Sequence, residues 1–133
     1  MTLVDTNVVI DILSADPVWL DWSVDALEAI RARGTPLIND ITYAELAVRY
    51  ASETALARDL EVLALRHERC PPAALFLAGR AFGRYRQAGG PRSSVLPDFF
   101  IGAHAEVAGL PILTRDPRRY RAWFPTVRLI APD

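Results

Sequence analysis

The chain has 133 residues, 51% of them hydrophobic and 23% charged, a composition that fits one globular domain long enough to bury a core. Its one cysteine, Cys70, excludes an internal disulfide framework and a cysteine-rich zinc site, and reads as a small apolar filler. The net charge of −1 points to no particular partner; with no apolar run of about 18 residues and an N-terminus that opens on a strand without a leader pattern, a cytoplasmic protein with no membrane partner is the expectation.

The first strand is expected over residues 2–5, apolar and followed by a polar turn. Val8, Val9, Ile12 and Leu13 have helical spacing and predict a helix over 7–14. Asp16-Pro17 breaks it and opens a second helix to about residue 33, with Gly34 as its stop. Residues 36–39 read as a strand, 42–50 and 53–66 as helices, and 68–70 as a weak short strand. Pro71-Pro72 opens a helix to about residue 87, ended by Gly89-Gly90-Pro91. After a polar loop, Pro97 starts a helix to about residue 107, and 111–114 and 126–130 are the last strands. Strands alternating with helices predict an α/β fold with a parallel sheet covered on both faces, in a single domain.

Four acids stand where such a sheet would place its chemistry: Asp5, Glu45, Asp98 and Asp116. Ligands of open α/β sheets bind outside the carboxyl ends of the strands. Asp5 and Asp116 follow strands there, and Asp98 and Glu45 lie early in their helices. Carboxylates gathered at one edge repel one another unless a counter-charge joins them. A hard divalent cation, Mg2+ or Mn2+, takes oxygen ligands and would activate water for in-line attack on a phosphodiester. Each acid also has a local explanation. Thr42-Tyr43-Ala44-Glu45 fits a capping box, Asp98 suits a helix first turn, and Asp116 before Pro117 suits a turn. Asp5 is hardest to explain so, because an acid buried at a strand end is costly without a partner.

Leu3-Val4-Asp5-Thr6-Asn7, the helical Glu45, Pro97-Asp98-Phe99-Phe100-Ile101-Gly102-Ala103-His104-Ala105 and Leu113-Thr114-Arg115-Asp116 together resemble the PIN domain, most nearly the VapC-type toxins of toxin–antitoxin pairs. The resemblance implies a Rossmann-like, three-layer α/β/α sandwich with a central parallel sheet. It makes Asp5, Glu45, Asp98 and Asp116 the catalytic, metal-binding acids, supported by Thr6, Asn7 and Thr114. It implies an Mg2+- or Mn2+-dependent endoribonuclease, a homodimer, and inhibition by a small VapB-like antitoxin.

Charge is unevenly spread: residues 1–66 carry five arginines and eleven acids, residues 67–133 ten arginines and five acids, with no lysine anywhere. Arginine forks onto phosphate, so Arg92, Arg115, Arg118 and Arg119, with Arg121 beside them, are candidates for RNA-phosphate contacts. A solvated surface is the plainer alternative. Trp19 and Trp22 suit either a partner surface or core packing. His104 reads as structural, and His67 as exposed. A phosphatase or phosphoacceptor would need a lysine and, for the phosphatase, Asp-x-Asp; the chain has no lysine and carries Asp5-Thr6-Asn7. An inactive RNA- or protein-binding PIN module and a nuclease acting on DNA remain the alternatives.

Overall fold

The computed structural model describes residues 1–91 and 96–133. Five strands, β1 (Thr2–Val4), β2 (Pro36–Asn39), β3 (Arg66–Glu68), β4 (Ile112–Leu113) and β5 (Leu129–Ile130), form one sheet in the order β3-β2-β1-β4-β5. Every pairing is parallel. The chain steps outward from β1 to β3, then returns past β1 to lay down β4 and β5. The direction of winding therefore reverses between β1 and β4, which opens a crevice at their carboxyl ends.

Successive strand side chains point to opposite faces, and this alternation builds two cores. Leu3, Leu37 and Ile112 face one way, against helices α5 (Pro72–Gln87), α6 (Leu96–Ala108) and α7 (Arg118–Trp123). Val4, Ile38 and Leu113 face the other way, against α1 (Thr6–Leu13), α2 (Leu20–Arg33), α3 (Asp40–Ala47) and α4 (Glu53–Val62). The result is the three-layer α/β/α sandwich with a central parallel sheet. Within the α5–α6 layer, Ala74, Ala78 and Ala81 recur at helical spacing and are fully buried.

Strand β3 lies at Arg66–Glu68 rather than 68–70, α3 runs Asp40–Ala47 rather than 42–50, β5 shortens to Leu129–Ile130, and three further elements depart more. Helix α2 starts at Leu20 rather than Pro17, because Asp16 Oδ1 accepts from the Val18 and Trp19 N–H groups and folds 16–19 into a turn. Helix α4 ends at Val62, not near 66. Ala64 takes a left-handed φ of 55°, and Leu65 N–H reaches back to the Leu60 carbonyl, which closes the helix and frees Arg66–Glu68 to pair with β2. Helix α7 was not expected at all. Pro117 precedes it, and Tyr120 and Phe124, buried on the same face, seat it on α6.

That seat is close. A Cβ added at Gly102 of α6 would overlap the Phe124 ring. Gly102→Ala is therefore expected to destabilise the fold by about 2 kcal/mol through overpacking, read as a lowered midpoint in thermal unfolding.

Candidate active site

Asp5 follows β1 directly. Its N–H donates to the Leu113 carbonyl of β4 at 2.9 Å, so the residue sits at the reversal point of the sheet. The side chain is buried, and its donors converge on one oxygen. Thr114 Oγ1 and Tyr120 Oη each donate to Asp5 Oδ2 at 2.9 Å, and Asn7 Nδ2 lies 3.4 Å from it. Among the described residues, none of these side-chain bonds goes to Oδ1. Burial, with the charge of Asp98 second, pushes the Asp5 carboxyl up to about 6 in spite of the Thr114 and Tyr120 hydrogen bonds.

Glu45 is half-buried on α3. The expected capping box does not form: Asn39 caps α3 by accepting from the Ile41 and Thr42 N–H groups. Glu45 instead accepts from the Thr6 hydroxyl at 2.7 Å, and that hydroxyl also lies 3.0 Å from Thr42 Oγ1. Burial raises the Glu45 carboxyl, the Thr6 hydrogen bond opposes this, and the Asp98 charge adds to it.

Asp98 lies in the first turn of α6. Arg119 Nη1 pairs with its Oδ2 at 2.7 Å. Burial still raises the carboxyl; the Arg119 contact lowers it in part, and the Asp116 charge raises it again. Asp116 is the most exposed of the four. Arg118 Nε and Nη2 donate to its two oxygens at 3.0 and 3.3 Å, and hold its carboxyl below the usual range. The Asp116 N–H donates to Thr114 Oγ1 at 3.1 Å, so one threonine links the two strand-end acids.

The charge of Asp98 acts on both Asp5 and Glu45, and that of Asp116 acts on Asp98. Among the described residues, however, no group of three or more carboxylate, imidazole or thiolate side chains stands at metal-ligand separation. Arginines neutralise two of the acids and hydroxyls orient the other two. The donor chemistry suits a hard divalent cation: every donor is an oxygen, and among the described residues no cation is paired with the buried Asp5 carboxylate.

Tyr120 was not among the residues singled out by sequence, yet it is fully buried and touches Asp5. Burial, then the Asp5 charge, holds its hydroxyl well above the ordinary phenol range, so it remains a donor. Asp11 was also missed. It is only 2% exposed and pairs with Arg115 Nε at 2.7 Å, while Ser23 Oγ donates to it at 3.1 Å. Arg115 also lies 5.6 Å from the Trp19 ring centre. Its guanidinium is thereby tied to α1 and the segment before α2.

Arg118 and Arg119 line a cavity of about 310 Å3 together with Asp116 and Trp123. A larger one, about 510 Å3, lies between α3 and α4 around Tyr43, Ala47, Tyr50 and Leu56, and none of the four acids lines it. Arg92 lies outside the described residues. Trp19 and Trp22 are half-buried and meet edge-to-face at 6.0 Å, with Trp22 against the α1–α4 core. His104 is buried, with its Nδ1 3.4 Å from Asn39 Nδ2, and burial lowers its pKa. His67 pairs at the surface with Asp40.

No curated protein matches the sequence. Solved structures do match in fold. VapBC2 from Rickettsia felis, bound to a DNA fragment from its promoter, is similar with a TM-score of 0.75 and 19% identity over 99% of this chain and 98% of that one. FitAcB from Neisseria gonorrhoeae gives 0.69 and 21% over 98% and 96%. A toxin–antitoxin complex from Klebsiella pneumoniae gives 0.68 and 24% over 100% and 98%. A family model described as the PIN domain matches residues 2–124, and with the parallel sheet and the acids at its reversal point this establishes that the chain belongs to the PIN domain family.

Proposed function

We propose that the protein is a metal-dependent endoribonuclease and the toxin of a toxin–antitoxin pair. The observation that carries this reading is the placement of Asp5, buried at the carboxyl end of the central strand, with no cation paired to it among the described residues and with the Asp98 charge acting on it. Asp5, Glu45, Asp98 and Asp116 would hold Mg2+ or Mn2+. When bound, the ion would neutralise the acids, lower the pKa of water and stabilise charge on phosphate oxygens.

The chain's own groups do the rest. Thr114 and Tyr120 fix the Asp5 carboxylate from the side of Oδ2, and Thr6 fixes Glu45. Asn7 ties the first turn of α1 to the loop after β4: its Nδ2 lies 3.4 Å from Thr114 Oγ1, and its Oδ1 accepts from the Arg115 N–H at 3.4 Å. Arg118 and Arg119 would contact backbone phosphates, which positions a nucleic acid without reading its sequence; phosphate contacts by Arg92 and by Arg115, beyond its bond to Asp11, belong to the same proposal. The similar solved structures named for toxin–antitoxin complexes support a VapB-like antitoxin as partner, and a homodimer is part of the same proposal.

Labelled RNA and DNA of the same sequence, incubated with the purified protein in Mg2+, Mn2+ or a chelator, provide the test. RNA cleavage only with metal, abolished in Asp98→Asn, is the expected result. Equal cleavage in chelator, or full activity of Asp98→Asn, sinks the metal-site reading. Preferential cutting of DNA overturns the RNA assignment alone.

A further inference from the structure

Helix α7 presses two consecutive guanidinium groups against the acids, but the two contacts differ. Arg118 is 87% exposed and pairs with the rim acid Asp116. Arg119 is 37% exposed and reaches inward to Asp98, itself 30% exposed, at 2.7 Å. Asp98 is the acid whose charge acts on both Asp5 and Glu45. A cation binding among these carboxylates therefore meets Arg119 already in place. Like charges a few ångströms apart repel, and both cations need the Asp98 oxygens. The backbone at Arg119 is held beside the acids, however. The next residue, Tyr120, is fully buried with its hydroxyl on Asp5, and the one before flanks Asp116. A displaced guanidinium would remain within reach of the cavity that Asp116, Arg118, Arg119 and Trp123 line, where it would offer a planar fork of donors to a phosphate.

We propose that Arg119 is an exchangeable counter-ion that holds Asp98 until a divalent cation takes that carboxylate, and then turns to a phosphate of the nucleic-acid backbone. This rests on the reading of the acids as a metal site, and adds a residue that opposes cation binding while favouring substrate binding. Removing Arg119 should therefore move the two affinities in opposite directions. A purely structural arginine would weaken both, and a simple phosphate contact would change only the second.

Calorimetric titration of MnCl2 into the metal-free protein reads the first affinity. Arg119→Gln is expected to bind Mn2+ about two- to fivefold tighter than wild type, the range set by a partly exposed ion pair. Arg121→Gln removes the same charge from the exposed face of α7 and is expected to change Mn2+ affinity less. Fluorescence anisotropy of a short labelled RNA in CaCl2 reads the second affinity. Arg119→Gln should bind it several-fold more weakly, with a logarithmic salt slope smaller by about one. Arg119→Lys keeps the charge without the fork and should return Mn2+ affinity toward wild type, with only partial recovery of RNA binding. If wild type binds Mn2+ and Asp98→Asn does not, yet Arg119→Gln binds it no tighter than Arg121→Gln, the exchange is wrong and the metal site stands. If wild type takes up no Mn2+, or Asp98→Asn takes it up equally well, the metal-site reading falls and the exchange with it.

Discussion

Asp5→Asn is expected to lower nuclease activity by more than about a hundredfold while making the metal-free protein more stable. The first effect follows from position. Losing a residue that merely supports a metal ligand costs about ten- to a hundredfold, and Asp5 is the most deeply buried of the four proposed ligands. The second follows from its pKa, which burial and Asp98 raise from 3.8 to about 6. Between those values the folded state binds more protons than the unfolded chain, so stability falls as pH rises through this window. Above about pH 6, the ionised Asp5 costs the metal-free fold about 3 kcal/mol on this reckoning.

Asparagine removes the charge and keeps an oxygen able to accept from Thr114 and Tyr120. Allowing for imperfect replacement, the gain is about 2 kcal/mol, or about 6 °C in melting temperature for a chain of this size. Thermal unfolding in chelator should show this gap between variant and wild type at pH 8, and little gap at pH 4. A variant that melts below wild type at pH 8 would refute the strained-carboxylate account. The same titration predicts that divalent-cation affinity weakens as pH falls through about 6, where protons compete for Asp5.

Arg115→Ala is expected to have the largest effect on stability, a loss of about 3 kcal/mol. Asp11 is 2% exposed, and Arg115 Nε is its one cationic partner among the described residues. Breaking a buried ion pair from one side strands the remaining charge, and the Ser23 hydroxyl alone is a weak substitute. Chemical denaturation should show a lower midpoint with an unchanged slope. The double variant Asp11→Asn/Arg115→Ala should recover part of the loss, because no charge is left buried. A double-variant loss equal to the sum of the two single-variant losses would mean that the pair carries no coupling.

Strand-end acids are legible in the sequence because an apolar run followed by a carboxylate has few other uses. Asp5 is the plainest case, and the alternation of Leu3 with Val4 shows why: the two residues feed opposite cores. Glu45 was legible as a position but not as a contact. Thr-x-x-Glu spacing suits a capping box, and only the register of β2 shows that Asn39 has taken the cap and left Glu45 to Thr6. Tyr120 and Asp11 escaped for a different reason. Their partners lie 115 and 104 residues away in sequence, so no local pattern reports them. One signal was present: Tyr120, Trp123 and Phe124 recur at helical spacing within an arginine-rich stretch. The three arginines around them masked an amphipathic turn as a polar loop.

Helix α7 has a mechanical consequence. Its residues Arg118, Arg119 and Tyr120 grip Asp116, Asp98 and Asp5 in turn. Three of the four acids, contributed by three separate parts of the chain, are thereby yoked to one six-residue element. A small tilt of that helix would loosen all three together. Its outer residues, Arg121 and Ala122, are exposed, so pressure applied there would reach the cleft from outside, without entering it.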